Sequence, residues 1–444
     1  MEERADVAIV GAGPTGATLA NLLGRRGHRV VVFEQLAEPF PQPRACHLDA
    51  ETARIIQHCG LAHELRSIVT PSPGMEYVDR DGTHLFTFEG FERQPLLGWQ
   101  EDYVFYQPDL DDLLRRGLER FAGVTAHYGT PSPPLDELCR AARFVVGADG
   151  AASTVRRQLG VSLRDLGYDE PWLVVDVLMD RPPGRGSDPM MIRQVCDPGR
   201  LTTYVPSHGR HHRWEFRLVD PHESPDPWDL LRAWGVEPSH AELLRAVPYR
   251  FHALLADRWR GGPDGRVLLA GDAAHQMPPF MGQGMCSGLR DAANLAWRLD
   301  EVLRGAAGPD HLDAYEAERS THTRQVIELS IAAGRLLDQI TADLVAGRPP
   351  HRPEPAVADD WRWSRLPGLD LGAPFPVGHQ APQPMIDGRP LDDHLGDGWA
   401  WVAADASFVP PDGRRRVVTC PEATMGARAL LVRPDRYVAA AVIP

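Results

Sequence analysis

One eighteen-residue segment, Gly271 to Gly288, concentrates residue types that bind small molecules. Its sequence, GDAAHQMPPFMGQGMCSG, carries one acid, Asp272, one histidine, His275, two adjacent prolines and four glycines. The acid can accept hydrogen bonds from a polyol, glycines let backbone approach a flat ring, and prolines stiffen the loop. The apolar run GRVLLA precedes the segment, and helically spaced Leu and Ala follow it until Gly305. This pattern predicts a strand-to-helix loop, with the positive end of the helix facing the bound group.

A second group of glycines stands near the N-terminus. DVAIVGAGPTGATLANLLGRRGHRVVVFEQ is typical of a strand, a glycine turn, a helix and a second strand that closes on an acid. In such a unit the first glycine permits the turn, the second lets backbone approach a pyrophosphate, and the third lets helix and strand pack closely. The phosphates lie at the helix N-terminus, and the acid accepts hydrogen bonds from the adenosine ribose, which favours FAD or NAD over NADP. The predicted nucleotide-binding residues are Gly11, Gly13, Pro14, Thr15, Gly16, Glu34 and Gln35.

A third strand-turn-helix pattern, RFVVGADGAASTVRRQLG, contains Asp149, Gly150 and Ser153. Taken alone it fits a generic turn with an N-capped helix as well as it fits a second piece of a nucleotide site.

Composition limits the class of protein. The 444 residues allow two or three domains, and a net charge of −14 argues against nucleic acid or an anionic membrane as partner. Six scattered cysteines without a C-x-x-C pair suggest neither a disulfide framework nor a metal site. No run of apolar residues is long enough to span a membrane, and the N-terminus enters a strand directly. We therefore expect a cytoplasmic protein with a small-molecule partner and no bound metal.

In their order and spacing, GAGPTG, GADGAASTVR and GDAAHQMPPFMGQGM resemble the single-component FAD-dependent aromatic hydroxylases related to para-hydroxybenzoate hydroxylase. The resemblance extends over roughly residues 4 to 345 and is closest to the 3-(3-hydroxyphenyl)propionate hydroxylase branch. That branch is indicated by PRACHLDAETARIIQ, FYQPDLDDLLRRGLERF, HRWEF, YRFHALLADRW and GQGMCSGLRDAANLAWRL.

The resemblance implies roles for individual residues. It places Glu34 on the adenosine ribose, and Arg44 and Gln107 beside the FAD phosphates or ribityl chain. Asp149, with Gly150, would support the FAD site and the approach of NAD(P)H, and Asp272, after Gly271, would bind the ribityl chain. The residues implied to line the flavin ring are Pro279, Gly282, Gln283, Gly284 and Met285.

The resemblance also implies an activity. NADH or NADPH, binding transiently, would reduce FAD, and a flavin C4a-hydroperoxide formed with O2 would hydroxylate a phenol or a polycyclic aromatic substrate. Baeyer-Villiger insertion or epoxidation by the same species is an alternative, and a flavin-binding protein without turnover is a third. The oligomeric state stays open, with a homodimer as one option.

Candidate substrate residues come from strand patterns and from one position at which this sequence departs from the resembling branch. Trp214 stands on a strand next to the one carrying Tyr204, so both are candidates for an aromatic pocket, although such a face is more often ordinary core. His47 stands where the resembling branch leads us to expect a small or aliphatic residue, which makes it a candidate substrate contact. With Pro279 they form the predicted catalytic set. His275 is interpreted as structural, and His208, His211 and His212 as a solvated hairpin tip.

The predicted architecture is α/β. A Rossmann-like FAD-binding domain (residues 1–68, 100–170 and 252–346) is interleaved with a β-sheet substrate domain (69–99 and 171–251). A proline-rich linker covers 347–360. Residues 361–444 resemble a truncated thioredoxin-like domain, through GRPLDDHLGDGWAWVAADASF and RALLVRPDRYVAAAV, and lack a C-x-x-C pair.

Overall fold

The computed structural model describes residues 4–89, 95–183, 188–351, 368–411, 413 and 415–443. Short strands and helices alternate at first, long strands follow up to residue 256, and two long helices come next. In chain order the elements are β1 (Ala5–Val10), α1 (Pro14–Arg25), β2 (Val30–Phe33), β3 (His47–Asp49), α2 (Ala50–His58), α3 (Ala62–Arg66), β4 (Val69–Pro71), β5 (Gly74–Asp79), β6 (His84–Glu89), β7 (Asp102–Phe105), α4 (Gln107–Leu118), β8 (Val124–His127), α5 (Leu135–Ala141), β9 (Ala142–Gly147), α6 (Thr154–Gln158), β10 (Leu163–Met179), β11 (Ile192–Cys196), β12 (Thr202–Pro206), β13 (His211–Arg217), α7 (Pro227–Arg232), β14 (Ala241–Ala256), β15 (Arg260–Gly261), β16 (Val267–Leu269), β17 (His275–Gln276), α8 (Gln283–Leu303), α9 (Asp313–Val345), β18 (Met385–Ile386), β19 (Arg389–Pro390), α10 (Leu391–Leu395), β20 (Ala400–Ala403), β21 (Arg416–Thr419), β22 (Ala429–Val432) and β23 (Val438–Val442).

A six-stranded sheet forms around the N-terminal glycine turn, with the strand order β15-β16-β9-β1-β2-β8. The apolar runs of β1, β2, β9 and β16 pair in parallel, and most of their side chains are buried, as parallel strands require. Parallel strands end at the same edge of a sheet, so the turns that follow β1, β9 and β16 meet there. This edge brings together Gly11, Asp149 and Asp272.

An eight-stranded sheet faces that edge, with the order β17-β14-β10-β13-β12-β11-β5-β6. Its neighbouring strands are antiparallel except β11 and β5. Side chains alternate between its two faces, as strand geometry dictates. One face packs an apolar core that includes Tyr204, Trp214 and Trp234, whereas Arg213 and Glu215 line a cavity on the other face.

Helices α1 and α8 pack side by side beneath the six-stranded sheet. Their close approach depends on Gly288, because a Cβ there would stand 2.2 Å from the hydroxyl oxygen of Thr15. Both helices begin at the cavity, and neither has a side-chain cap or an acid in its first turn. Their unsatisfied N–H groups and positive ends are therefore offered to whatever the cavity holds.

Residues 368–443 have a small core of their own, built on a sheet with the order β21-β20-β22-β23. Buried polar contacts hold it against α2: Arg54 donates two hydrogen bonds to Asp392, and the Tyr437 hydroxyl donates to Glu51. The thioredoxin-like character of residues 361–444 stays a prediction. From residue 352 onward the predicted linker lies outside the described residues.

Two further findings concern the whole described chain. All six cysteines are buried and unpaired. None of the helices in the described ranges is both long and apolar enough to cross a membrane.

Candidate active site

A cavity of about 1750 Å³ opens between the carboxyl edge of the six-stranded sheet and one face of the eight-stranded sheet. Its walls include the turn after β1, the end of β2, the segment before β3, the turn after β9 and the loop before α8. Cavities for a single drug-sized ligand measure roughly 300 to 1,000 Å³. This one therefore has room for a dinucleotide and a second small molecule in one continuous space.

The turn after β1 needs glycine at two positions for reasons the structure makes explicit. Gly11 has φ +100°, and a Cβ there would stand 2.4 Å from the Ala148 carbonyl oxygen. A Cβ at Gly16 would stand 2.0 Å from the Gly11 carbonyl oxygen. Gly13 differs, because a Cβ there would meet no other described residue within 4 Å beyond its chain neighbours. The turn thus keeps open space at Gly13, next to the uncapped start of α1, where an anion is favoured.

Glu34 lies at the end of β2 and lines the cavity together with Gln35. Its carboxylate accepts hydrogen bonds from the backbone N–H of Ala12 at 2.8 Å and of Leu36 at 2.9 Å. Each carboxylate oxygen accepts one of these two bonds, so both oxygens can still accept a hydrogen bond from a ribose hydroxyl. The carboxylate therefore ties the glycine turn to β2 and remains able to bind a ribose.

Gln107 and Arg44 act as a pair that shapes the cavity mouth. The buried Gln107 side-chain oxygen accepts hydrogen bonds from the backbone N–H groups of Arg44 and Ala45, both at 2.7 Å. The Arg44 side chain is exposed, lines the cavity and lies 4.6 Å from the Phe40 ring centre. Gln107 thus holds the backbone that presents a cation to the cavity.

Asp149 holds the turn before helix α6, whose N-cap residue is Ser153. Its carboxylate accepts hydrogen bonds from the Ser153 hydroxyl, the Thr154 backbone and hydroxyl, and the Val155 backbone. The generic capped-turn interpretation describes these contacts fully, although Asp149 and Gly150 also line the cavity.

Asp272 stands on the cavity wall directly after Gly271. Its enclosure by the protein raises the pKa of its carboxyl, while His275 and Arg44 oppose the rise. Behind the wall, fully buried His275 hydrogen-bonds to Asp291 at 2.6 Å, and Asp291 also accepts from the Gly271 backbone at 3.0 Å. His275 therefore holds the turn, in agreement with its structural interpretation.

The loop before α8 forms the wall between the two sheets. Pro279, Gly282, Gln283, Gly284 and Met285 all line the cavity. Gly282 has φ +64°, and a Cβ on it would stand 2.5 Å from the Nδ1 atom of His47, so only glycine fits here without strain.

His47 lines the same part of the cavity, but both of its ring nitrogens are engaged by protein. Nε2 lies 2.7 Å from an Asp102 carboxylate oxygen, and Nδ1 lies 3.4 Å from the Gly282 carbonyl oxygen. Burial lowers the pKa of His47, but the hydrogen bonds to Asp102 and Cys286 outweigh it and raise that pKa well above its usual value. A protonated imidazole that donates to both oxygens fits this geometry. His47 then braces the loop at Gly282 and offers no free nitrogen to a substrate.

The predicted roles of Tyr204 and Trp214 in a substrate pocket are wrong in this structure. Both side chains are buried on the far face of the eight-stranded sheet, where they pack against each other and Trp234. Alternation along a strand groups residues by face but does not show which face a ligand meets.

The face that does meet the cavity carries a polar row across the strands. Glu215 lies opposite Val174 on one neighbouring strand and Thr203 on the other, and Thr203 lies opposite Gln194. All four line the cavity. Sequence reasoning missed them, although polar residues at every second position of a buried strand were an available signal.

The predicted solvated histidine tip is also wrong for two of its three residues. His211 and His212 are buried, and they hydrogen-bond to Asp176 and to the Tyr204 hydroxyl at 2.7 and 2.8 Å. Asp176 also accepts from Arg213 and Arg245. Burial raises the pKa of Asp176, but Arg213 and His211 outweigh it and hold that pKa low. Asp176 lies 35 residues from His211 in sequence, so no local pattern reveals the pair.

The residues present fit FAD. One cavity wall carries the open space at Gly13, the carboxylate of Glu34, Asp272 and the two uncapped helix starts. Together these groups can bind the adenosine ribose, the pyrophosphate, the polyol chain and the electron-poor ring of FAD.

Comparison with known proteins supports the binding of FAD by this chain. The FAD binding domain family matches residues 4–132 and 140–330, and the chain belongs to that family. A probable NADH-specific resorcinol 4-hydroxylase of Rhodococcus jostii strain RHA1 is 36% identical over 433 residues, covering 90% of this chain and 79% of that protein. A 3-(3-hydroxy-phenyl)propionate/3-hydroxycinnamic acid hydroxylase of Comamonas testosteroni is 38% identical over 360 residues, 75% of this chain and 59% of that protein.

A solved structure shares the whole fold. The flavin-dependent monooxygenase PieE, in complex with FAD and substrate, superposes with a TM-score of 0.78 at 21% identity, covering 99% of this chain and 96% of that one.

Proposed function

We propose that this protein is an FAD-dependent monooxygenase that uses NADH and O2 to hydroxylate a phenolic aromatic ring. The main support for the proposal is one continuous cavity, which joins the nucleotide-binding wall to a sheet face able to hold an aromatic molecule. Two relatives named as aromatic hydroxylases support the reaction, and the one named as NADH-specific supports NADH as donor. When bound, FAD supplies electron transfer from the donor and activation of O2.

The roles of the wall residues are part of this proposal. The start of α1 and the open turn at Gly13 bind the pyrophosphate, Glu34 binds the adenosine ribose, Asp272 binds the ribityl chain, and Arg44 lies beside the phosphates. The loop from Pro279 to Met285 places its backbone against the flavin ring. Gly11 lines this wall, whereas Gly16 and Gly271 lie behind it, and Gly16 lets the turn close on itself.

The sheet face excludes water from the reaction and orients the substrate ring. Tyr77, Phe251 and Phe280 line the cavity, and Phe280 meets Phe251 edge-on with ring centres 6.0 Å apart. Apolar walls of this kind keep bulk water from the reacting centre, and their fixed shape holds the ring carbon in position.

Two other reactions stay open at this site. Baeyer-Villiger insertion or epoxidation needs the same cofactor wall and differs only in the substrate, and the third alternative is a flavin-binding protein without turnover. A homodimer and a cytoplasmic location stay predictions of the sequence.

Turnover under oxygen-18 tests the proposal. Purified holoprotein is incubated with NADH, ¹⁸O2 and resorcinol, and products are analysed by mass and by fragmentation of the ring. We expect one oxygen-18 atom in a product whose aromatic ring is intact. An ester or ring-opened product indicates the Baeyer-Villiger alternative, and hydrogen peroxide as the sole product contradicts hydroxylation of this phenol.

A further inference from the structure

One acid on the cavity face has no hydrogen-bond partner among the described residues. Glu215 lies in the middle of β13, is 8% exposed and lines the cavity, yet it makes no hydrogen bond or ion pair with any described residue. Its carboxylate is open to the cavity, and a ligand that displaced water from it without donating a hydrogen bond would leave a costly unpaired polar group. A ligand that donates a hydrogen bond to this carboxylate is therefore favoured over one that does not.

The neighbours of Glu215 direct their hydrogen bonds to other acceptors. The Thr203 hydroxyl donates to the Gln194 side-chain oxygen at 2.7 Å, and the Gln194 amide donates to the Thr202 carbonyl oxygen at 3.2 Å. Arg213, two residues before Glu215 on the same strand, donates to Asp176 and to the carbonyl oxygens of Arg44 and Pro43. The remaining direction open to the carboxylate is the cavity itself.

The surroundings of Glu215 define the chemistry of the ligand it would accept. Burial raises the pKa of Glu215 to about 7, with Arg213 opposing the rise and Asp176 adding to it. Val174 and Val247 flank it on one side of the row, and Tyr77 lies beyond Gln194 on the other. An apolar ring bounded by these side chains would place a polar substituent at Glu215. A hydroxyl suits an acid there, whereas a second carboxylate is repelled by the ionised form of Glu215.

We propose that Glu215 is the substrate-recognition residue of this site: its carboxylate accepts a hydrogen bond from a hydroxyl of an uncharged phenol, and it selects against aromatic carboxylates. The inference rests on the proposed function for its choice of an aromatic ligand. It names uncharged hydroxybenzenes, rather than phenylpropanoid acids, as the substrate class.

Ligand binding to the holoenzyme tests the assignment without turnover. Resorcinol, 1,3-dimethoxybenzene and 3-hydroxybenzoate are titrated against the FAD-loaded protein, and perturbation of the flavin absorbance gives each Kd. Glu215→Gln keeps size and shape but removes the charge. Glu242→Gln, at an exposed position on β14, two strands away from β13 in the same sheet, is the matched control.

We expect the wild type to bind resorcinol more tightly than 3-hydroxybenzoate. It should also bind resorcinol more tightly than 1,3-dimethoxybenzene, which has no hydroxyl. Glu215→Gln should weaken resorcinol binding by about tenfold or more and strengthen 3-hydroxybenzoate binding, because a charged acceptor is lost and a repulsion is removed. Glu242→Gln should leave all three values unchanged. Unchanged resorcinol affinity in Glu215→Gln would overturn the assignment, and so would a wild type that prefers 3-hydroxybenzoate.

The two proposals fail in different measurements. If resorcinol binds and depends on Glu215 but no oxygen-18 product forms, the hydroxylase proposal fails while the recognition role stands. If hydroxylated product forms at the wild-type rate in Glu215→Gln with unchanged affinity, the recognition role fails while the hydroxylase proposal stands. The wild-type ranking of the three ligands keeps the test decisive even where a variant folds poorly.

Discussion

Alanine at Gly13 or at Gly16 separates two uses of glycine in the turn after β1. At Gly16 the added Cβ would stand 2.0 Å from the Gly11 carbonyl oxygen, whereas real Cβ atoms essentially never approach closer than 3.0 Å. The two backbone segments must therefore separate by at least the difference, 3.0 minus 2.0, or 1.0 Å. Overpacking that moves backbone costs about 1–3 kcal/mol. We expect Gly16→Ala near the upper end, because the oxygen it meets belongs to backbone.

Gly13→Ala should act on the cofactor alone. The backbone there has φ −71° and ψ −178°, which alanine adopts freely, and the Cβ meets open space. Apoprotein stability should stay within about 0.5 kcal/mol of wild type. The methyl group would occupy the approach of the pyrophosphate to α1, and loss of one hydrogen bond to a charged group costs roughly 1.5–3 kcal/mol, or about a 10- to 150-fold weaker Kd for FAD.

Urea unfolding of the apoproteins and titration of FAD by flavin fluorescence measure the two effects separately. The expected result is a Gly16→Ala apoprotein that unfolds at lower urea and a Gly13→Ala apoprotein that unfolds like wild type but binds FAD poorly. The reasoning is refuted if Gly13→Ala destabilises the apoprotein as much as Gly16→Ala does, or if it binds FAD with wild-type affinity.

Three further predictions concern the wall, the loop and the C-terminal residues. Asp272→Ala should fold but purify depleted of FAD, because it removes a carboxylate from the wall and no core contact; the ratio of flavin to protein absorbance checks this, and full occupancy contradicts it. Asp102→Asn removes the carboxylate that raises the pKa of His47. Because the folded pKa lies above the unfolded value, the pair stabilises fully below about pH 6.5 and loses its effect as pH rises through the folded pKa. Unfolding at several pH values should therefore show the largest loss near pH 6, and a pH-independent loss contradicts this. Asp392→Asn leaves Arg54 buried opposite a neutral side chain and should lower the free energy of unfolding by about 3–5 kcal/mol; wild-type stability in urea would show that the ion pair contributes nothing.

The nucleotide wall could be predicted from the sequence because its determinants are local. The turn after β1 and the loop before α8 are each set by glycines within a few residues of a strand end and a helix start. At Gly16 and Gly282 a Cβ would clash with a neighbouring group. Gly16 was predicted from the spacing of the glycine turn, and Gly282 from the family resemblance of the loop.

The substrate face could not be predicted in the same way. Tyr204 and Trp214 were correctly predicted to share one face of the sheet. The alternation of residues along a strand does not show which face packs against helix α7 and which face lines the cavity. His47 was identified as unusual, yet its partner Asp102 lies 55 residues away and changes its role from substrate contact to support of the loop. Contacts between distant segments decide these functions, and periodicity describes only one segment at a time.

Stopped-flow reduction of the bound flavin tests the proposed hydroxylase activity. Holoprotein is mixed anaerobically with NADH or NADPH, with and without resorcinol, and the decay of the oxidised-flavin absorbance is followed. We expect reduction to be faster with NADH than with NADPH and to be accelerated by resorcinol, because a ligand on the sheet face completes the cavity wall opposite the flavin. Reduction that is indifferent to resorcinol and to every other hydroxybenzene would contradict it.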